Sequence, residues 1–236
     1  MIASSKDNKM IASDLLLDIY RVYRGKIDSR APVWGSDKAN VAIDIANRKV
    51  SEWATDSRNK WNSMFEINSV GTVSVGTQTY DLDDTFFAPS DYAKIVKTDG
   101  SYVEYSIVKA QQRNIPAGQA LYVHGTDPKK ITFAQDIDAS LASGTLYVPG
   151  YYVPSSLTAS TDVVPVDDPV WLVYSTAAEL ARNDPAKDDQ YAVLAGMANE
   201  LYLRMSNANN DTGLLQLNTV INGMPMIGDS TESWSQ

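Results

Sequence analysis

The clearest pattern of apolar and polar positions lies between residues 167 and 207, where apolar residues recur every three or four positions. This spacing places side chains on one face of a helix. Asn183-Asp184-Pro185 interrupts the pattern, because a residue before proline is displaced from helical geometry. The stretch therefore predicts two helices joined by a short turn, which makes them antiparallel neighbours. The two apolar stripes are Trp171, Tyr174, Ala178 and Ala181, then Tyr191, Leu194, Ala198, Leu201 and Met205.

Two earlier segments carry similar helical stripes. Ser13 or Asp14 begins a short helix that ends at Gly25, since Ser and Asp cap helix starts and glycine favours the left-handed end. Ser36, or the residue after it, begins a longer helix that we expect to reach about Asn62. Each helix has an apolar face to bury, and so the pattern predicts that the helices pack together as one antiparallel bundle.

Between residues 65 and 154 the apolar period changes to two. The runs are short and rich in β-branched and aromatic residues, which is typical of strands. Asp99-Gly100 separates two of these runs and suits a two-residue hairpin turn, and residues 125–128 suit a second, wider turn. We therefore expect a β-rich module of mostly antiparallel strands, inserted between one helix pair and the next.

The last segment, residues 209–236, has few charges but more apolar residues than a disordered tail normally contains. Asn222-Gly223 and Pro225 argue against a helix in this segment. Two interpretations stay open: it packs on its own domain, or it docks as an extended arm on another subunit. The apolar residues available for that contact are Leu214, Leu215, Leu217, Val220, Ile221, Met224, Pro225, Met226 and Ile227.

These patterns together predict an α+β fold: an antiparallel helical bundle with an inserted β-rich domain and an extended C-terminal arm. Residues 1–64 and 155–208 are assigned to the bundle, residues 65–154 to the insertion and residues 209–236 to the arm. The chain of 236 residues is long enough for a substantial core.

The composition limits which metal sites and catalytic sites the chain can form. The chain has no cysteine and a single histidine, His124, which excludes thiolate sites and His-rich metal sites. We interpret His124 as a structural or turn residue. Asp81, Asp83 and Asp84 resemble the opening of a calcium loop, but the loop's glycine and its final glutamate are missing, so we interpret them as turn carboxylates. A catalytic pair among the 29 acidic residues stays open, because its spacing is a three-dimensional property.

The charge and hydropathy of the chain indicate whether it binds nucleic acid or a membrane. The formal net charge of −9 argues against a protein that coats DNA, since binding phosphates needs clustered Lys and Arg. The sequence has no signal-peptide core and no run of about twenty apolar residues, and so we expect a soluble protein without a membrane partner.

Four stretches carry a family resemblance: IDIANRKVSEWATDSRNKW, FAPSDYAKIVKTDG, YYVPSSL and DDPVWLVYSTAAELARNDPAKDDQYAVLAGMANELYLRM. They resemble the head-to-tail adaptor proteins, also called connector or head-completion proteins, of short-tailed bacteriophages. The resemblance covers residues 13–207. It implies a helical bundle with an inserted β-domain, no catalysis and no cofactor. It also implies a structural virion protein at the portal vertex, one subunit of a twelve-fold ring between the portal and the tail.

The resemblance predicts specific partners. They are further copies of the chain, the portal protein, and a tail nozzle or tail fibre protein, and the residues 214–227 named above are the expected portal contact. Five Trp and thirteen Tyr suit such interfaces. DNA would pass through the ring without sequence-specific binding, since twelve copies at −9 carry −108 in total and repel phosphate.

Two other functions stay open at this point. One is a virion-associated wall hydrolase, which requires a concave site with two close carboxylates. The other is a carbohydrate-binding module that presents aromatic side chains, for which Tyr147, Tyr151 and Tyr152 are candidates, although packing is the commoner use of such residues.

Overall fold

The computed structural model of the chain describes residues 9–56, 58–108 and 120–223, with side chains as far as Asn210. These residues form four α-helices and eight strands. The helices are α1 (Ala12–Arg24), α2 (Asp37–Ala54), α3 (Pro169–Arg182) and α4 (Asp188–Gly223). The strands are β1 (Phe65–Thr72), β2 (Thr79–Asp81), β3 (Phe86–Pro89), β4 (Tyr92–Val96), β5 (Tyr102–Val108), β6 (Ala120–His124), β7 (Lys130–Phe133) and β8 (Thr145–Tyr152).

All eight strands belong to one sheet, in the order β1-β8-β4-β5-β6-β7-β2, with β3 also paired to β8. Every pairing is antiparallel except that of β5 with β6. The two ends of this order, β1 and β2, are consecutive in the chain. The Ser74 N–H after β1 donates to the Tyr80 hydroxyl of β2 at 3.0 Å. The sheet is therefore nearly closed around its own apolar core.

Strand β8 organises the sheet, because it pairs with β1, β3 and β4. Its Gly150 lies where β3 crosses closely: a Cβ atom there would lie 2.7 Å from the Ala88 carbonyl oxygen. Only glycine fits at such a distance without a shift of the backbone. Alternate residues of β8, Leu146 and Val148, are fully buried in the sheet's core.

Helix α3 lies between the other helices. Its Ala177, Ala178 and Ala181 pack around Leu194 of α4, and small residues on this face allow the two helices to approach closely. Glu179 and Leu180 lie on the other side of α3, where Glu179 pairs with Arg48 of α2. No helix in the described part of the chain has the length and apolarity to cross a membrane.

The predicted fold class, a helical bundle with an inserted β-rich domain and an extended C-terminal arm, is wrong. The chain is a mixed α/β protein dominated by an eight-stranded, nearly closed sheet, with four helices. The helices share their core with Met64, Leu157 and Val164, which lie outside them, and Tyr151 of β8 packs on the same core. Helical stripes identify a buried face, but they do not identify what covers it.

Several local predictions are confirmed. Gly25 ends α1 in the left-handed conformation with φ 65°, and Ser36 caps α2 by accepting from the Ala39 N–H. Asp99-Gly100 lies in the turn between β4 and β5 as predicted, but the loop is wider than two residues, because the Lys97 N–H donates to the Ser101 carbonyl at 2.8 Å. The predicted end of α2 near Asn62 is wrong, because α2 ends at Ala54.

The predicted C-terminal arm is also corrected. Helix α4 continues through Gly223, so Leu214, Leu215, Leu217, Val220 and Ile221 lie in a helix and not in an extended arm. Asn222 and Gly223 themselves lie within α4. Met224, Pro225, Met226 and Ile227 lie outside the described residues.

Leu194→Asp tests the packing of α4 on α3. Leu194 is 5% exposed, and the change buries a charge among alanines, so we expect a loss on the order of 3 kcal/mol in the free energy of unfolding. The matched control is Val193→Asp, one residue away and 62% exposed, which should stay near wild type. Denaturant unfolding measures both variants. Equal stability of the two variants would show that α4 does not bury this face.

Candidate interaction surfaces

Helix α4 carries the described part of the predicted portal contact, and its first turn is fixed to α1. The side chains of Lys187 and Gln190 donate to the backbone carbonyls of Tyr23 and Val22. The Lys187 ammonium also lies 4.3 Å from the centre of the Tyr23 ring, a favourable cation–π distance. Asp188 and Asp189 occupy the first turn of α4, where acidic residues suit the helix dipole.

An aromatic cluster holds α4 further along. The ring of Tyr202 lies 5.8 Å from Trp61 and 5.8 Å from Trp171. Trp61 stacks on Trp53 at 5.2 Å, and its indole N–H donates to the Trp53 carbonyl at 2.8 Å. The cluster therefore joins α4 to α3, to α2 and to the segment that leads into β1.

Polar contacts continue from this cluster, and we call them the α4 clamp. The Tyr202 hydroxyl donates to the Asp56 carboxylate and accepts from the Asn59 amide at 3.1 Å. The Ser206 hydroxyl donates to the Asn59 carbonyl oxygen at 2.8 Å. One helical turn later, Asn209 accepts from the Asn62 N–H at 2.9 Å. The clamp thus binds three successive turns of α4 to residues 56–62.

The hydrogen bonds of the clamp set the protonation states of Asp56 and Tyr202. Hydrogen bonds from the Arg58 guanidinium hold the pKa of Asp56 well below its usual range, and the Tyr202 hydroxyl adds to this effect. Burial raises the pKa of Tyr202, as does its hydrogen bond to Asp56. The carboxylate is therefore ionised and the phenol neutral throughout the physiological pH range, which is the state that this hydrogen bond requires.

The side of α4 that faces away from α3 exposes apolar residues. Val193 is 62% exposed, Met197 is 42% exposed and Leu203 is 54% exposed. Exposed apolar residues that cluster on one element are a mark of contact surfaces.

A second exposed surface is the outer sheet face, formed by β1, β8, β4 and β5. Its side chains alternate with buried ones such as Ala93 and Ile95. Lys94 at its centre pairs across the strands with Tyr147 and Glu104. The apolar and aromatic members of this face that are exposed by 38% to 61% are Phe65, Ile67, Tyr92 and Tyr102.

Two of the three acidic residues that resemble a calcium loop have structural roles. Asp83 accepts from the Thr85 N–H at 2.8 Å, and hydrogen bonds from Thr85 lower its pKa. Asp81 pairs with Lys130 at 3.1 Å across β2 and β7. Among the described residues, no three His, Asp or Glu side chains are grouped to hold a metal ion.

The single histidine and the three tyrosines of β8 also have defined places. His124 Nε2 lies 2.8 Å from the Thr132 hydroxyl, which joins β6 to β7 and agrees with a structural role. Tyr152 is buried against Phe86, and Tyr151 packs edge-on against Phe65. Tyr147 is half-buried on the outer sheet face.

The clamp was not predicted from the sequence. Asp56 and Tyr202 are 146 residues apart, and Asn59 and Ser206 are 147 apart. The signal in the sequence was the pair Trp53 and Trp61, because aromatic side chains of this size are normally buried against other residues.

Asp56→Asn tests the clamp through pH. A carboxylate whose pKa lies below its ordinary 3.8 in the folded state contributes stability above that pH and loses it as the pH falls further. The variant should therefore be less stable than wild type at pH 7, and the difference should shrink below about pH 4. Thermal unfolding from pH 3 to pH 7 measures it. Asp44→Asn on the exposed face of α2 is the control, and an identical pH profile for both variants would contradict the clamp's role.

Comparison with known proteins identifies no family for this chain: no protein-family model and no curated protein matches it.

Proposed function

We propose that this chain is a structural virion protein: a subunit of the head-to-tail adaptor ring at the portal vertex of a short-tailed bacteriophage. The ring joins the portal to a tail nozzle or tail fibre protein. The sequence resemblance across residues 13–207 supports this function, although the helical bundle with an inserted β-domain that it implied is not the fold of the chain.

The observation that carries the proposal is the length and anchoring of α4. At 36 residues, with a rise of 1.5 Å per residue, this helix is about 54 Å long. The clamp fixes it to the body as far as Asn209, and the helix continues from there to Gly223. A long helix that is held to the body as far as Asn209 can extend its remaining residues towards a neighbouring protein. We assign the portal contact to this C-terminal part of α4.

Charge supports the same function. A formal charge of −9 per subunit gives the ring a strongly negative field, which repels the phosphates of a passing duplex. DNA therefore moves through the channel and does not bind there. In this arrangement the ring needs no sequence-specific contact with the genome.

A second candidate, a carbohydrate-binding module, is favoured by the outer sheet face. Tyr92 and Tyr102 are 40% and 61% exposed there, beside the charged pair Lys94 and Glu104. Aromatic rings and hydrogen-bonding groups on one open surface are the features that a sugar-binding surface requires. In an adaptor ring, the same face is available to the tail nozzle or tail fibre protein.

Deleting the gene from the phage tests the proposed function. Without the adaptor, the portal cannot join the tail, so we expect DNA-filled heads that leak or lack tails. Electron microscopy of the particles is the measurement. Supply of the intact chain from a plasmid is the control.

Other outcomes point elsewhere. Complete virions that adsorb but fail to penetrate the host wall would favour a wall hydrolase. Complete virions that no longer adsorb would favour the carbohydrate-binding module. Either result would contradict the adaptor proposal.

A further inference from the structure

We propose that neighbouring copies of this chain join by docking a ridge on α4 of one copy into a groove between α1, α2 and α3 of the next. The ridge consists of Asp189, Val193, Met197 and Glu200. The inference rests on the proposed ring, because it names the contact between its subunits.

The ridge lies on the exposed side of α4. Its four residues are spaced by four, four and three positions, which places them along one face of a helix. All four side chains are exposed, whereas Leu194 and Ala198 on the adjoining side are buried against the body. The ridge therefore presents two apolar side chains between two carboxylates.

The groove is a cleft of about 340 Å³ between α1, α2 and α3. Tyr20, Tyr23, Val41 and Leu180 give it an apolar lining. Val41 is 53% exposed at the open side of the cleft, so an incoming apolar side chain can reach it. The charged residues at the cleft are Arg24, Asp37 and Lys38.

Charge selects a second copy as the occupant. The ridge has acidic residues at both ends, and the groove carries two cations against one carboxylate. In the described part of the chain, Asp189, Glu200 and Lys38 have no ion-pair partner. Docking therefore gives unpaired charges of opposite sign a partner and covers apolar surface on both sides.

The ridge and the groove are separate surfaces, although Tyr23 at the edge of the groove also packs against the residues that contact α4. Ala177, Ala178 and Ala181 of α3 face α4, whereas Glu179 and Leu180 face α2 and the groove. One copy therefore cannot dock its ridge into its own groove. A contact between two different surfaces is heterologous, and repetition of such a contact closes a ring when the rotation permits.

Disulfide trapping tests this contact, because the chain has no cysteine of its own. We would place Met197→Cys on the ridge and Val41→Cys in the groove of the same full-length chain. A disulfide forms only where the two Cα atoms come within about 7 Å. Mild oxidation should give a ladder of dimers, trimers and larger species on a non-reducing gel, since each chain links to one neighbour on each side.

Three controls make the result specific. Either cysteine alone should stop at dimers, and these should be few. An equal mixture of the two single variants should give abundant mixed dimers. The matched pair Val75→Cys with Val41→Cys, in which residue 75 is 59% exposed in the turn after β1, should give no ladder. Melting temperatures near that of wild type verify that the variants fold.

Charge reversal gives a second measurement. Adding Lys38→Glu to the linked pair replaces a cation of the groove by a second acid that faces the acidic ridge, and we expect cross-linking to fall at least about tenfold, the equivalent of about 1.4 kcal/mol. Lys97→Glu makes the same change in net charge at the β4–β5 turn and should leave the ladder unchanged.

The inference is overturned if the ridge–groove pair gives no more ladder than the control pair. It is also overturned if Met197→Cys alone dimerises as fast as the pair, which would indicate a symmetric contact. These outcomes are separable from the gene deletion. Tailless particles together with an absent ladder would leave the adaptor proposal standing with a different subunit contact, whereas a ladder with normal tails would leave the contact standing without that function.

Discussion

Helix α3 buries side chains on every side, and the positions of the other helices depend on it. Eight of its fourteen residues are buried. One side is a row of alanines that admits α4, and another carries the residues that face α2. A substitution on the alanine side therefore displaces α4, and with it the surfaces that we assign to the portal and to the neighbouring subunit. The side chains of α3 therefore determine where the proposed interfaces lie.

The sequence was informative where structure is local. The cap at Ser36, the left-handed Gly25, the break at Pro185 and the Asp99-Gly100 turn each depend on a few adjacent residues. Such signals act over one turn of chain, and so they locate single caps and turns, although they did not locate the end of α2 at Ala54.

The same signals did not determine how the elements assemble. Strand β8 joins β1, although Tyr151 and Phe65 are far apart in the sequence, and this pairing makes the sheet the dominant element of the fold. Period-2 alternation identifies a strand's two faces but not its neighbours. The C-terminal error has another cause: Asn222-Gly223 was interpreted as a break in the helix, whereas both residues lie within α4.

The interaction surfaces depend both on local sequence and on how the helices and strands assemble. An apolar residue such as Val193 is recognisable in the sequence, but its exposure follows from which side of α4 meets α3. The clamp at Asp56 and Tyr202 depends on a contact across 146 positions, which no local pattern encodes. The proposed function therefore rests on these surfaces and their charges, and on the resemblance across residues 13–207.

Cryo-electron microscopy of the portal vertex in purified virions tests the central claim most directly. The account predicts a ring of copies of this chain between the portal and the tail, with the part of α4 beyond Asn209 against the portal. It also predicts that each α4 ridge lies in the α1–α2–α3 groove of the adjacent copy. A vertex in which other proteins fill the space between portal and tail, with this chain elsewhere or absent, would contradict the account.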